Sequence, residues 1–160
     1  MKPERNPIAV AVALLAACGI VSGCSTQGRI ARGIPASRRA HPEIVVLEAT
    51  AYCPCGQCCG WRRNWLFRPV IASGPNRGKP KAVGITASGT EARPGTIAAD
   101  THVLPFGTIL YVPGYGYGRV EDTGGDIKGN RIDLFYRSHD DALEWGRKKV
   151  RCKVWKPARR

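Results

Sequence analysis

Three aspartates lie close together in the chain, each within or at the end of a short apolar run. Asp100 ends the segment GTIAAD, Asp122 lies in EDTGGDIKG, and Asp133 lies in NRIDLFY. Among apolar neighbours an isolated carboxylate is costly, so these three positions need an explanation. Carboxylates gathered in a groove are the groups that proteins use to cleave glycosidic bonds. The aspartates therefore indicate acid/base chemistry on a sugar linkage. The alternative for Asp122 and Asp100 is structural, since an aspartate at either position could cap a turn.

A cysteine cluster is the second group of residues that could do chemistry. Four cysteines fall within seven residues: Cys53, Cys55, Cys58 and Cys59. Their thiolates could hold a structural zinc ion, whereas an oxidising compartment would favour disulfides. Together with Cys152 they cannot all pair within one chain, and Cys152 is expected to be a buried core thiol. The sequence favours a structural role and leaves metal and disulfide open. The histidines show no metal-ligand spacing: His41, His102 and His139.

The N-terminal segment has the pattern of a bacterial lipoprotein signal. Basic residues precede an apolar run, residues 8–21, which ends in the segment VSGC at Cys24. The pattern implies a signal peptide over residues 1–23 and lipidation of Cys24. Cys18 closes a similar pattern but leaves a shorter apolar region, and an ordinary cleaved signal is a further alternative. In each case the protein is expected to act outside the cytoplasm.

The chain is strongly basic, with 25 Lys and Arg against 12 Asp and Glu and a net charge of +13. Such a charge favours polyanionic partners. For an exported protein nucleic acid is not expected, and cell-wall carboxylates or anionic lipid headgroups are better candidates. An equally good interpretation is that the charge mainly keeps the protein soluble.

One domain of short strands is expected over residues 44–156, after a flexible basic tether at residues 24–43. A helix is predicted from the Ser138 cap to about Arg147, since Ser138 and Asp141 have capping-box spacing. Many short strands with Gly/Pro turns indicate an all-β barrel or sandwich. The strand-like runs are residues 44–52, 83–86, 96–99, 108–112, 119–121, 131–136 and 150–155.

Alternation in the strand around Asp133 predicts where its carboxylate points. Ile132 and Leu134 share one face, while Asp133 and Phe135 share the other. If the aliphatic pair faces the core, Asp133 lies on a groove wall beside an aromatic ring. The same alternation turns three residues of the last strand inward: Val150, Cys152 and Val154.

Five ordered segments together resemble the 3D domain, a family named for its three aspartates. They are ITASGT (85–90), GTIAAD (95–100), LPFGTILYVPGYG (104–116), EDTGGDIKGNRIDLF (121–135) and ALEWG (142–146). The likeness covers about Ala49 to Val154, and the same barrel carries the active site of the membrane-bound lytic transglycosylase A family. It implies a small six-stranded double-psi β-barrel with one short helix near the C-terminus, acting on peptidoglycan glycan strands.

The resemblance also implies roles for individual residues. Asp133 matches the catalytic acid/base, and Asp122 and Asp100 match its two partner aspartates. Two departures are visible: Asp126 replaces a common Ala, and residues 61–82 form a basic insertion that could narrow or extend the groove. The expected substrate-binding residues are Thr86, Ser88, Gly124, Gly125 and Lys128.

The expected reaction is lytic transglycosylation in cell-wall turnover, which needs one acid/base and no cofactor for catalysis. Hydrolysis would need a second positioned carboxylate, and the sequence gives no separation to decide between the two. The alternative class is a non-catalytic, expansin-like wall-binding barrel, which the lack of a recognised second transglycosylase domain favours. The expected location is the cell envelope, lipid-anchored in the outer membrane and facing the periplasm.

Overall fold

The computed structural model describes residues 41–158 of the 160-residue chain. The predicted signal peptide, both candidate lipidation sites (Cys18 and Cys24) and nearly all of the predicted tether lie outside the described residues. Within residues 41–158, no helix is long and apolar enough to cross a membrane.

The described residues form short strands and two short helices. In chain order these are β1 (Glu43–Tyr52), α1 (Gly56–Cys59), β2 (Trp61–Arg63), β3 (Pro69–Ile71), β4 (Thr96–Ala99), β5 (Ile109–Val112), β6 (Gly116–Asp122), β7 (Arg131–Phe135), α2 (His139–Trp145) and β8 (Lys148–Trp155).

Six strands close into a barrel in the order β1-β7-β4-β6-β5-β8. Two neighbouring pairs, β1 with β7 and β4 with β6, are parallel, and the other described pairs of the barrel are antiparallel. Strands β2 and β3 pair separately, inside the basic insertion. The all-β, six-stranded barrel with a short helix near the C-terminus is therefore confirmed. The one-turn helix α1, within the cysteine segment, was not predicted.

The strand predicted at residues 83–86 does not form. This segment turns back on itself instead, because the amide of Thr86 donates to the carbonyl of Thr90 and the amide of Gly89 donates to that of Thr86. Gly84 and Gly89 take positive φ angles of 80° and 85°, which L-residues rarely adopt. Only an isolated bridge joins Ile85 to Glu91. The prediction was wrong because a tight loop and a short strand have similar apolar composition.

The barrel interior follows the predicted alternation. Ile132 and Leu134 of β7 are fully buried, as are their neighbours Leu47, Ile97 and Leu110. Each such side chain contributes about 1.5–3 kcal/mol when it leaves water, so this face of β7 is fixed inward. In β8, Cys152 and Val154 are buried as predicted and Val150 is half-buried. The fixed face of β7 turns the side chain of Asp133 away from the core.

Helix α2 begins as predicted but ends earlier. The Ser138 side chain accepts a 3.0 Å hydrogen bond from the amide of Asp141, which caps the helix. The helix ends at Trp145, because Gly146 takes a φ of 67° and the chain turns into β8. Lys148 starts β8, and its ammonium lies 3.7 Å from the centre of the Trp145 ring, a cation–π contact.

Candidate active site

The parallel pairing of β1 and β7 positions Asp133. Thr50 lies directly opposite Asp133 in the register, and its hydroxyl donates a 2.8 Å hydrogen bond to Oδ1 of Asp133. On the other side of β7, Ala98 of β4 is the register partner of Asp133. Two neighbouring strands therefore fix the backbone of Asp133, and one side-chain bond fixes its carboxyl group.

The environment of Asp133 favours its protonated form. Burial is the main cause that raises the pKa of its carboxyl group, and the charge of Asp122 raises it further. The hydrogen bond from Thr50 acts in the opposite direction, because it stabilises the charged form. The net effect is a raised pKa, so Asp133 holds its proton at a higher pH than an exposed aspartate does. That is the property required of a general acid.

Asp122, at the end of β6, is held by three donors. The Tyr52 hydroxyl donates to Oδ2 at 3.1 Å, and the amides of Ala87 and Thr123 donate to Oδ1 at 2.9 Å each. Burial raises the pKa of Tyr52 strongly, and Asp122 adds to the shift, so this hydroxyl stays protonated. Asp122 therefore presents a fixed acceptor carboxylate beside Asp133.

The loop that supplies the Ala87 amide is ordered by its own hydroxyl groups. Oγ1 of Thr86 lies 3.0 Å from Oγ of Ser88 and 2.9 Å from Oγ1 of Thr90. The amide of Ser88 also donates to the carbonyl of Glu121 at 3.0 Å. Thr86 and Ser88 were predicted to bind substrate, but neither lines the pocket. Their contacts orient the loop so that Ala87 reaches Asp122.

Asp100 has different partners from the other two aspartates. Its Oδ1 accepts from the amide of His102 at 3.0 Å, and its Oδ2 accepts from that of Gly129 at 2.9 Å. These bonds, that of Gly129 first, lower the pKa of Asp100. Asp100 does not line the pocket. It ties the turn after β4 to the loop before β7, so its geometry fits a positioning role rather than contact with a reacting sugar.

A pocket of about 300 Å³ lies over Asp122 and Asp133. Its apolar wall is the small cluster of Tyr52, Ala98 and Phe135, in which the two rings meet edge to face at 5.5 Å between centroids. This volume is at the lower end of the range for small-molecule sites, about 300–1,000 Å³. The lining residues outside that wall include Lys81, Gly84, Thr123, Gly124, Gly125 and Ile127.

Only part of the predicted substrate-binding set lines this pocket. Gly124 and Gly125 do, whereas Lys128 is exposed and lies outside the lining. The basic insertion reaches the pocket through its last residues, Lys81 and Ala82. At the other end of the insertion the tip of the hairpin is exposed, with Trp65 85% accessible. One cation of the insertion, Lys81, therefore lines the same pocket as the two carboxylates.

Three of the four clustered cysteines converge on one point beside the pocket. The fourth member of the group is His139, not Cys59: Cys53, Cys55, Cys58 and His139 have ligand atoms within 4.8 Å of one another. The thiol of Cys59 donates instead to the carbonyl of Cys53 at 3.2 Å. All five cysteines of the described residues are free thiols. The predicted group contained Cys59 and not His139, whose spacing in the sequence does not indicate a metal ligand, because α2 brings His139 to the cluster from a distant part of the chain.

Sequence reasoning missed Thr50 and Tyr52 as well. They lie two residues apart on β1 and share a face of the sheet with their register partners on β7, Asp133 and Phe135. Their alternation was a usable signal, because residues i and i+2 share one face of a strand. No such signal existed for His139, since nothing in the sequence links it to a cysteine cluster more than eighty residues earlier.

The sequence is similar to a known family model and to proteins of known name. Residues 95–156 match the family model described as the 3D domain, a shorter span than the motifs had indicated. The chain is 47% identical over 75 residues to the Bacillus subtilis "Cell wall-binding protein YocH", covering 44% of this chain and 26% of that protein. It is 41% identical over 132 residues to the B. subtilis "Putative cell wall shaping protein YabE", covering 81% and 27%. The chain thus spans about a quarter of the length of these relatives.

Solved structures of E. coli MltA are also similar. One crystal structure has a TM-score of 0.41 at 24% identity, covering 50% of this chain and 30% of that one. MltA with bound chitohexaose has a TM-score of 0.41 at 23% identity, covering 51% and 30%. Residues 95–156, the span that matches the 3D domain family model, contain Asp100, Asp122 and Asp133.

Proposed function

We propose that this protein binds peptidoglycan glycan strands in the pocket and cleaves a glycosidic bond with Asp133 as the acid/base. The observation that carries the proposal is the pairing of Asp133, whose pKa is raised, with Asp122 in one pocket. The match to the 3D domain supports it, as do the names of YocH and YabE, which refer to the cell wall. The basic surface fits a wall polymer with free carboxylates.

The proposed reaction begins with proton transfer. Protonated Asp133 donates its proton to the glycosidic oxygen, and the bond from that oxygen to the anomeric carbon breaks. The carboxylate of Asp133 then accepts a proton from the 6-hydroxyl of the same sugar, whose oxygen bonds to the anomeric carbon. The product is a 1,6-anhydro ring, no water is consumed, and Asp133 is again protonated. Asp122 stabilises the positive charge that develops on the sugar ring.

The hydrogen bonds of Asp122 favour this lytic route over hydrolysis. A hydrolase needs a second carboxylate that is free to activate water or to attack the anomeric carbon. Both oxygens of Asp122 already accept bonds, Oδ2 from Tyr52 and Oδ1 from two backbone amides. Asp122 is therefore better suited to electrostatic stabilisation than to proton abstraction.

The test is cleavage of purified sacculi by wild-type protein and Asp133→Asn, with products identified by mass spectrometry. We expect the variant to lose about 10²–10⁴-fold in rate or more, because the amide cannot donate and recover a proton. The control is Asp126→Asn, which alters an exposed carboxylate outside the pocket lining and should leave the rate unchanged. Anhydro products support the transglycosylase, reducing ends alone indicate a hydrolase, and an active Asp133→Asn would remove Asp133 from the mechanism.

A second candidate function is binding to the wall without cleavage. The name of YocH, a cell wall-binding protein, favours it. Sedimentation of the protein with sacculi distinguishes the two. Binding by wild-type protein with no soluble product, at any pH, would support the binding protein and exclude the enzyme.

We further propose that the protein works in the cell envelope, anchored by a lipid on Cys24 to an outer membrane and facing the periplasm. The support is the VSGC pattern after an apolar run. Membrane fractionation of Cys24→Ser and Cys18→Ser tests this. Release of Cys24→Ser supports the assignment, whereas release of Cys18→Ser alone moves the anchor to Cys18.

A further inference from the structure

Four potential metal ligands meet where the loop after β1 contacts the start of α2. Nδ1 of His139 lies 3.4 Å from Sγ of Cys58, 3.6 Å from Sγ of Cys55 and 3.7 Å from Sγ of Cys53. The Sγ atoms of Cys53 and Cys58 are 3.7 Å apart. One nitrogen and three sulfur atoms therefore surround a common centre.

These separations match a tetrahedral zinc site. With Zn–S of about 2.3 Å and Zn–N of about 2.0–2.1 Å, tetrahedral angles place two sulfurs about 3.8 Å apart and sulfur and nitrogen about 3.5–3.6 Å apart. The distances in the structure lie close to both values. A disulfide instead needs about 2.05 Å between sulfurs and gives the imidazole no role.

We propose that Cys53, Cys55, Cys58 and His139 bind one Zn²⁺ ion. The three thiolates and Nδ1 complete a four-coordinate, closed site, so the ion has a structural role and leaves no open position for a substrate. Zinc replaces the protons of the three thiols, and these protons are released to solvent. Cys59, adjacent to Cys58, is not a ligand.

The surrounding chain is shaped to hold these ligands in place. Cys55 caps α1, and its Sγ accepts a 3.4 Å hydrogen bond from the amide of Cys58. The indole of Trp61 donates to the carbonyl of Pro54 at 2.9 Å and closes the loop. A Cβ atom on Gly56 would collide with the carbonyl oxygen of Trp61, so this turn requires glycine. Such outer contacts orient metal ligands and are typical of built sites.

The ion would join two segments that carry the pocket. Cys53 directly follows Tyr52, the donor to Asp122, and His139 follows β7, the strand of Asp133. Cys58 and Cys59 themselves line the pocket. Zinc is therefore expected to fix the pocket wall, while the metal measurement itself needs no substrate and is independent of the proposed cleavage.

The test is the metal content of the full chain, purified without chelators and measured by mass spectrometry. We expect about one zinc per chain, and X-ray absorption at the zinc edge should show three sulfur neighbours and one nitrogen. His139→Ala and Cys58→Ser should lose the ion or bind it at least tenfold more weakly. The matched control is Cys59→Ser, which changes the neighbouring cysteine and should keep the full zinc content.

Thermal unfolding adds a second readout. A strong chelator should lower the Tm of wild-type protein and of Cys59→Ser, because zinc stabilises only the folded state. If Cys58→Ser does not fold, the absorption spectrum of wild-type protein still identifies the ligands. Metal-free protein with a bond between two of the three cysteines would overturn the proposal. Zinc held by four sulfurs, with loss in Cys59→Ser, would overturn this ligand set.

Discussion

Thr50 and Asp133 face each other across the parallel strands β1 and β7, and the Thr50 hydroxyl donates a 2.8 Å hydrogen bond to Oδ1 of Asp133. This bond opposes the effect of burial on the same carboxyl group. The pKa of Asp133 therefore depends on two opposing effects. Desolvation favours the neutral carboxyl group, and the hydrogen bond from Thr50 favours the charged carboxylate. Each influence can be changed separately.

Thr50→Val should raise the pKa of Asp133 further, because it removes the donor that stabilises the carboxylate and keeps the shape of the side chain. If cleavage is the function, the fall of kcat/KM on the alkaline side should move to higher pH. If the bond stabilises the carboxylate by about 1.4 kcal/mol, its removal should move the alkaline side of the profile by about one pH unit. Thr50→Ser keeps the hydroxyl and should show the wild-type pH profile. An unchanged profile in Thr50→Val would show that this bond does not tune the acid.

Asp133→Asn should raise the free energy of unfolding at neutral pH. Because the folded-state pKa is raised, the stability that Asp133 contributes is full below the ordinary value of 3.8 and is lost as pH rises through the raised pKa. The amide never ionises, so it avoids that loss. The difference in Tm between variant and wild type should be largest near neutral pH and vanish in acid. Thermal melts across this range measure it, and a lower Tm for the variant at neutral pH would contradict the assignment.

Asp100→Asn should behave in the opposite way. The pKa of Asp100 is lowered, so its stabilising contribution is present above the ordinary value of 3.8 and is lost as pH falls through the lowered pKa. An asparagine has one acceptor oxygen for the two amides of His102 and Gly129. The variant should melt at lower temperature than wild type at neutral pH, with a gap that narrows in acid. Equal melting temperatures at neutral pH would mean that the two backbone bonds stabilise nothing.

Tyr52→Phe should weaken cleavage without unfolding the barrel. The ring and its edge contact with Phe135 are kept, while Asp122 loses the hydroxyl donor of Tyr52. A hydrogen bond to a charged group contributes about 1.5–3 kcal/mol, so we expect kcat to fall about 10–100-fold. Tyr136→Phe, outside the pocket lining, serves as the control and should keep full activity. Sacculus digestion and far-UV circular dichroism together separate lost chemistry from lost fold.

Gly56→Ala should destabilise the cysteine loop. The added Cβ atom meets the backbone carbonyl of Trp61, which cannot move without opening the loop. Overpacking of this kind costs about 1–3 kcal/mol, and zinc content should fall with it if the four ligands bind metal. Gly125→Ala is the matched control, since nothing lies within 4 Å of its Cβ position. Tm and metal content of the two variants are compared directly.

Local patterns predicted the strands that carry the site. The apolar pair Ile132 and Leu134 fixed the face of Asp133, because side chains alternate along a strand and the apolar face must be buried. The Ser138 cap of α2 was visible for a similar reason, since capping depends on neighbouring residues. The loop at residues 83–86 was mistaken for a strand, because its hydroxyl contacts and glycine angles follow from its neighbours in space.

By itself the sequence determined an all-β class, the three aspartates and the cysteine cluster, all of which depend on residue type and short spacing. Residue patterns left barrel and sandwich open, and the resemblance to the 3D domain implied the six-stranded barrel. Only the tertiary structure distinguished the positions of Asp122 and Asp100, placing Asp122 with Asp133 in one pocket and binding Asp100 to two backbone amides. The tertiary structure also showed that His139, and not Cys59, lies with the other three cysteines in the potential metal site. The physical reason is that pKa shifts and metal coordination depend on distances of a few ångströms between groups. Folding brings segments that are far apart in the sequence to those distances.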